Sequence, residues 1–129
     1  MKAACEKWGE EYGICPELLE SIAYEESRYT ADAKSKDGSC LGLMQIHKAS
    51  HKQRIKNLEI KDLYDIDDNV QVATDYLAEL FEEYEEVSTV LMIYHGEKDA
   101  VRKGEQGKIS RYAKRVLKRS ESLERAHNK

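Results

Sequence analysis

The chain has 129 residues, enough for one domain with its own hydrophobic core and too short for two. Its composition is 40% hydrophobic and 36% charged, with a single Pro, seven Gly and a net charge of −4, which is typical of a mostly helical protein. No apolar run approaches the roughly 18 residues that span a bilayer, and "MKAACEKWGEEYG" lacks the apolar centre of a signal peptide.

Apolar residues recur at intervals of three and four along most of the chain, which is the spacing of one helix face. Pro16 is a favoured first-turn residue, and Asp67 or Asp68 is a suitable N-cap for the longest segment. Residues 30–42 have loop composition. The first three predicted helices cover residues 2–12, residues 16 to 27 or 28, and about residues 48–56. Three further helices are predicted to start at residue 67 or 68, at residue 89 and at about residue 109. The prediction is an all-α single domain, residues 1–129, with six or seven helices and a substrate groove.

The end of the chain is strongly basic. Residues 102–129 hold ten Lys or Arg and three Glu, a net charge of about +7, so the remainder carries about −11. A basic helix can contact nucleic acid or an anionic polymer. Aromatic residues are not interleaved with the basic ones as in a single-strand binder, so a solvated helix face is favoured and no nucleic-acid partner is predicted.

The three cysteines, Cys5, Cys15 and Cys40, are odd in number and lack metal-ligand spacing. A small disulfide scaffold would be richer in cysteine, so three free thiols are favoured over one disulfide with a spare thiol. The histidines form no recognisable cluster with the cysteines, which disfavours zinc. The histidines are His47, His51, His95 and His127. We therefore expect no metal and no cofactor.

Two glutamates stand side by side in "IAYEESRY", where the second predicted helix ends. Adjacent helix positions point about a hundred degrees apart, so Glu25 and Glu26 cannot face each other as a carboxylate pair. Glu26 lies three and four positions after the apolar residues Ala23 and Ile22, and Glu25 lies three positions after Ile22. Helical spacing therefore favours Glu26 as the inward-facing glutamate but does not exclude Glu25. The helix macrodipole and partial burial both raise the pKa of a carboxyl at this end, which suits a general acid. An ordinary surface glutamate is the alternative.

Further motifs follow Glu26-Ser27 in order: "GLMQI" at 42–46, "DNVQVATDYLAEL" at 68–80, "IYHGEKDAV" at 93–101 and "YAKRVL" at 112–117. In order and spacing these motifs resemble the soluble lytic transglycosylase family, whose catalytic domain has a lysozyme-like fold. A lone Glu-Ser pair is uninformative. Together with Gly-Leu-Met-Gln at this separation it is a specific signal, and the resemblance covers about residues 12–117.

The resemblance implies a role for each matching residue. Glu26 aligns with the single catalytic acid and base of the family. Glu25 has no catalytic counterpart, so we expect it to be a solvated neighbour. The residues expected to contact the sugar, orient its N-acetyl group or hold the acid are Ser35, Gly42, Met44, Gln45 and Tyr94. The residues that align with positions of more structural use are Asn69 and Tyr112.

The implied reaction cleaves the β-1,4 bond between N-acetylmuramic acid and N-acetylglucosamine in peptidoglycan and leaves a 1,6-anhydro ring. Most glycosidases need two carboxylates, but here the substrate's own acetamido group would replace the second. Asp32 and Asp37 lie on the loop, and we expect both to be solvated. The protein would act on the cell wall as a monomer, with peptidoglycan strands as its partner.

Some positions depart from the family pattern. His95 stands where Asn is usual, Gly96-Glu97 replaces Ala-Gly, and His47 replaces an apolar residue. Neither histidine is assigned a role.

Two alternatives stay open: a lysozyme-type hydrolase of the same bond, and a non-catalytic glycan-binding component of a phage or conjugation apparatus.

Overall fold

The computed structural model describes residues 1–128, and within them the chain forms seven α-helices and one antiparallel two-stranded hairpin. In chain order the helices are α1 Lys2–Tyr12, α2 Pro16–Ser27, α3 Lys52–Asn57, α4 Ile66–Glu83, α5 Val87–Tyr94, α6 Ala100–Glu105 and α7 Arg111–His127. The strands are β1 Cys40–Leu41 and β2 Ile46–His47, and a 3-10 turn over Lys48–His51 leads into α3. This architecture confirms the predicted all-α, lysozyme-like class. No helix within residues 1–128 combines the length and apolar character needed to cross a membrane.

Helix α4 begins at an aspartate, although not at a predicted one. The N-cap is Asp65, whose carboxylate accepts a hydrogen bond from the backbone N–H of Asp68 at 2.9 Å. The prediction of Asp67 or Asp68 was wrong because Asp65 already satisfies this first-turn N–H group, and the later aspartates lie inside the helix. Helix α7 starts in the same way, with Ser110 accepting from the N–H of Ala113.

Two short elements were not predicted from the sequence. The hairpin starts inside the segment 30–42 that was predicted as loop, with Cys40 opposite His47 across the strands. Strands of two residues are too short to show a period-two pattern. Helix α6 has six residues and contains Gly104, a poor helix former. The sequence therefore located the long helices and missed the elements that carry little periodic signal.

One buried side chain fixes the hairpin to α4. The amide oxygen of Asn69 accepts from the backbone N–H of Met44 at 2.8 Å. Its amide nitrogen donates to the carbonyls of Leu41 at 3.0 Å and Leu63 at 2.7 Å. Asn69 is fully buried, so these main-chain groups would lack partners without it. This geometry agrees with the structural role expected of Asn69.

Gly42 lies where the hairpin turn meets α4. Its φ is +81°, and a Cβ atom there would lie 2.2 Å from the amide nitrogen of Asn69 and 2.3 Å from the carbonyl of Leu63. The resemblance implies that Gly42 contacts the sugar, and that role stays a prediction. The structure gives the glycine a packing requirement as well, because the space of the missing side chain is occupied by the protein's own buried polar groups.

Helix α2 packs in the core between α1 and α7. Leu19, Ile22 and Ala23 are completely buried, as their three-four spacing indicates. The hydroxyl of Ser21 donates to the carbonyl of Val116 at 2.6 Å, which adds a buried polar contact between α2 and α7. The position of α2 is thus determined from both sides.

The three cysteines are not disulfide-bonded, as predicted. Cys5 is completely buried, and burial raises the pKa of its thiol to about 12. A thiol with so high a pKa is a poor nucleophile. Cys5 therefore acts as a small core residue.

Replacing Gly42 with Ala should lower the free energy of unfolding by about 3–5 kcal/mol, because a methyl group would overlap Asn69 and the left-handed backbone disfavours any side chain. Urea unfolding monitored by circular dichroism measures this. The matched control is Gly13→Ala, which also has a left-handed φ but open space around the site, and should cost only about 1–2 kcal/mol. Equal losses in the two variants would contradict the packing role of Gly42.

Candidate active site

A cleft of about 550 Å³ opens between the hairpin side of the molecule and the end of α5. Residues from α2, the hairpin, the 3-10 turn and helices α3, α4 and α5 line it. Its lining includes Glu26, Gln45, His51, Arg54, Tyr76, Tyr94 and His95. A cleft with a few polar groups in a partly apolar wall is suited to binding a sugar chain.

Glu26 lies in the last turn of α2. The helix ends directly after it, because Arg28 adopts a left-handed conformation with φ of 54°. The hydroxyl of Ser27 donates to the carbonyl of Leu43 at 2.7 Å, which ties this end of α2 to the hairpin turn. The Glu-Ser pair thus places a carboxyl in the cleft and anchors the backbone beneath it.

The carboxyl of Glu26 is held by a tyrosine from the last helix. The hydroxyl of Tyr112 donates to Oε2 of Glu26 at 2.7 Å. Burial raises the pKa of Glu26, and the hydrogen bond from Tyr112 only partly opposes this rise. The charge of Glu25 raises the pKa of Glu26 as well. Sequence reasoning gave Tyr112 a structural use, whereas the structure places its hydroxyl on the candidate acid.

His95 lies against the same tyrosine. The two rings stack with centroids 3.8 Å apart and planes at 8°. Nδ1 of His95 lies 3.1 Å from a carboxylate oxygen of Glu97, which also accepts a hydrogen bond from Ser110 at 2.7 Å. A protonated His95 lowers the pKa of Glu26. His95 was assigned no role from the sequence, because the sequence does not show that its ring stacks on Tyr112.

Gln45 and Tyr94 form the wall next to Glu26. Gln45 has a left-handed backbone with φ of 52°, and its side-chain nitrogen donates to the carbonyl of Gly42 at 2.9 Å. The hydroxyl of Tyr94 donates to the carbonyl of Met44 at 2.8 Å. The resemblance implied that Tyr94 contacts the sugar or holds the acid, whereas its hydroxyl proton is engaged by the hairpin turn.

Three of the residues assigned to substrate contact do not line this cleft: Ser35, Gly42 and Met44. The side chain of Met44 is fully buried in the core. The hydroxyl of Ser35 donates to Asp37 at 2.9 Å and accepts from the N–H of Cys40 at 2.9 Å, so it fixes the loop before β1. Hydrogen bonds from Ser39 lower the pKa of Asp37 to about 2, so this exposed acid is ionised, as expected of a solvated loop carboxylate.

The other end of the cleft was missed by sequence reasoning. The guanidinium of Arg54 pairs with Asp75 and Glu79, and its Nε donates to Nδ1 of His51 at 3.3 Å. The ring of His51 packs edge-on against Tyr76 with centroids 4.5 Å apart. Burial and the charge of Arg54 lower the pKa of His51, which favours a neutral imidazole. The available signal was the i, i+3 spacing of His51 and Arg54 within the predicted helix 48–56. In the structure His51 ends the 3-10 turn and Arg54 lies in α3.

Glu25 is not the solvated neighbour that the sequence predicted. Its side chain is only 7% exposed and pairs with Nε of Arg115 at 2.5 Å and a terminal nitrogen of Arg119 at 3.5 Å. The guanidinium of Arg119 also lies 3.4 Å from the ring centroid of Tyr24. The prediction failed because α7 packs over this face of α2. Glu25 therefore joins the end of α2 to the helix that carries Tyr112.

The family model described as Transglycosylase SLT domain matches residues 3–116. This match begins in α1, ends within α7, and includes Glu26, Gln45, Tyr94 and Tyr112. A search of the curated proteins finds no match.

Glu26→Gln should raise the free energy of unfolding at neutral pH. The folded state holds the Glu26 proton more tightly than the unfolded chain, so the native protein loses stability as the pH rises from about 4.5 through the raised pKa. Glutamine does not titrate, so the variant's advantage should appear over this range and vanish below pH 4.5. Urea unfolding at several pH values measures it. An advantage that is independent of pH would contradict the raised pKa.

Glu25→Gln should lower the free energy of unfolding by about 1–2 kcal/mol, since Arg115 and Arg119 would lose their carboxylate at a mostly buried position. The control is Glu121→Gln, which breaks an exposed pair with Arg125 and should change stability by less than about 0.5 kcal/mol. Both variants lose one negative charge, so thermal or urea unfolding isolates the effect of burial. Equal effects would show that the Glu25 pairs contribute no more than surface pairs.

Proposed function

The chain belongs to the transglycosylase SLT domain family, and on that premise we propose that it is a lytic transglycosylase of peptidoglycan. Members of this family are typically peptidoglycan lytic transglycosylases and act on the cell wall. The proposed reaction cleaves the β-1,4 bond between N-acetylmuramic acid and N-acetylglucosamine and forms a 1,6-anhydromuramyl end. The observation that carries the proposal is the carboxyl of Glu26, which has a raised pKa, faces the cleft and accepts the Tyr112 hydroxyl.

Glu26 would act first as the general acid. Its Oε2 accepts from Tyr112, so in the neutral carboxyl the proton lies on Oε1, available to the glycosidic oxygen. Proton transfer to that oxygen accompanies cleavage of the bond to C1 of the muramyl sugar, and the bonding electrons leave with the N-acetylglucosamine oxygen. The hydrogen bond from Tyr112 then stabilises the carboxylate that has formed.

The substrate would supply the second catalytic group. The carbonyl oxygen of the muramyl acetamido group attacks C1 and disperses the positive charge, so no second protein carboxylate is required. The Glu26 carboxylate then removes the proton of the C6 hydroxyl, and the C6 oxygen bonds to C1 as the acetamido oxygen leaves. Glu26 ends protonated, as it began, and no water is consumed.

Gln45 is the residue that we assign to the acetamido group. Its amide nitrogen is engaged by the carbonyl of Gly42, whereas its amide oxygen receives no hydrogen bond from residues 1–128. That oxygen is free to accept from the acetamido N–H, which would hold the carbonyl of this group toward C1. Tyr94 would contribute its ring as a wall of the cleft and hold the turn in place through Met44.

The remaining site residues would support the cleft indirectly or bind more distant sugars. Ser35 would preserve the loop before β1, and Gly42 and Met44 the hairpin turn, through the contacts described above. Tyr76 and His51 would provide a stacking face and a neutral hydrogen-bond donor for a sugar farther from Glu26.

Purified peptidoglycan incubated with the native chain should release soluble muropeptides with 1,6-anhydro ends. Glu26→Gln should reduce this release at least a hundredfold, because glutamine cannot transfer the proton. Mass spectrometry identifies the products, and Glu121→Gln on the exposed face of α7 controls for charge.

Reducing-end products, heavier by one water, would instead assign lysozyme-type hydrolysis. Equal release by the native chain and Glu26→Gln would overturn the role of Glu26. No release by either protein would favour a glycan-binding module.

A further inference from the structure

A second polar cluster lies at the other end of α2, away from Glu26. It forms where the first turn of α2 meets the last turn of α7. We call it the α2–α7 donor cluster, and its members are Cys15, Glu17, Glu20, Glu124 and His127. It contains a thiol, an imidazole and three carboxyl groups, all of them possible metal ligands.

The members contact one another closely. Nδ1 of His127 lies 2.6 Å from a carboxylate oxygen of Glu17. The thiol of Cys15 lies 3.0 Å from a carboxylate oxygen of Glu124 and 3.3 Å from one of Glu17. One ligand atom each from Glu17, Glu20 and His127 lie within 4.8 Å of one another, and the same holds for Cys15, Glu17 and Glu124. Glu17 belongs to both groups, so the two triads lie side by side and share this one carboxyl group.

Glu20 is the one member of the cluster whose buried position is not accounted for by a hydrogen bond. It is only 5% exposed, and its carboxyl makes no hydrogen bond or ion pair with any of residues 1–128. Its oxygen nevertheless lies within 4.8 Å of the ligand atoms of Glu17 and His127, so it points into the cluster. A carboxylate with so little contact with water and no hydrogen-bond or ion-pair partner gains stability from a cation beside it.

We propose that the α2–α7 donor cluster binds a zinc ion. The ion would be held by His127, Glu20 and Glu17, whose ligand atoms lie within 4.8 Å of one another, and Cys15 or Glu124 would reach the fourth position only by rotating its side chain. Zinc accepts this mixture of sulfur, nitrogen and oxygen ligands at about 2.0–2.3 Å, which small side-chain rotations can reach from separations below 4.8 Å. Where Cys15 serves as a ligand, its thiol proton passes to solvent as the metal binds. Magnesium and calcium prefer sets made only of oxygen ligands, so the thiol and imidazole favour zinc.

The consequence is a cross-link between two helices that are distant in sequence. Cys15 and Glu124 are 109 positions apart, which explains why spacing along the chain gave no sign of a metal site. The sequence analysis expected no metal on that ground, and the proposal replaces that expectation. Glu124 and His127 also lie beyond the region matched by the family model, so the site would be a feature of this chain rather than of the SLT domain.

The test uses the full chain, treated with chelator and kept reduced, titrated with Zn²⁺ against a chromophoric chelator. We expect one tightly bound Zn²⁺ per chain that Glu20→Gln and His127→Ala abolish. Zn²⁺ at a hundredfold excess over its Kd should raise the Tm by roughly 5–10 °C, and Mg²⁺ should not.

Two controls make the outcome decisive. Cys40→Ser removes the thiol that lies opposite His47 in the hairpin and should leave the bound Zn²⁺ in place. Glu20→Gln removes an unpaired buried carboxyl, so its metal-free Tm should not fall, and a lost zinc response cannot be attributed to misfolding. Absence of tight Zn²⁺ binding, its persistence in Glu20→Gln and His127→Ala, or an equal response to Mg²⁺ would overturn the proposal.

Discussion

The contact between the last turn of α2 and helix α7 determines the orientation and the pKa of the carboxyl group in the cleft. Through it, Tyr112 reaches Glu26, and Glu25 pairs with Arg115 and Arg119 beside it. The hydrogen bond fixes one oxygen of Glu26 and leaves the other free. Burial by the same contact keeps the proton on the carboxyl at higher pH than in water. If α7 were displaced, Glu26 would lose both its orientation and its raised pKa.

The opposite wall of the cleft depends on α4. Asn69 holds the hairpin by two hydrogen bonds, to Met44 and Leu41, and Tyr94 adds a third through the carbonyl of Met44. These bonds position Gln45, whose strained backbone would otherwise relax. Several residues of the Gly-Leu-Met-Gln motif therefore serve the geometry of the turn, and Gln45 alone presents its side chain to the cleft. One group of this motif thus faces the cleft, and the others hold the turn in place.

Helix α2 carries an unfavourable carboxyl at each end. Glu26 is buried near the cleft with a raised pKa, and Glu20 is buried at the far end without a partner among residues 1–128. In the proposed function the first is retained for acid catalysis, and in the proposed zinc site the second is compensated by a metal. Both follow the general rule that a buried charge persists where chemistry or a counter-ion requires it.

The sequence by itself determined the helical class and the buried face of α2, since these follow from local periodicity. Its choice of Glu26 over Glu25 rested on a family resemblance and stays a prediction. It did not determine that Glu25 is buried, that Tyr112 contacts the acid, or that Cys15 and His127 belong to one cluster. Tyr112 and Glu26 are 86 positions apart, and no local pattern encodes which side chains meet across such a distance. Helix periodicity is a property of residues that are neighbours in sequence. The burial, pKa and hydrogen-bond partners of a side chain depend on which distant segment packs against it, and only the tertiary structure determines which segment that is.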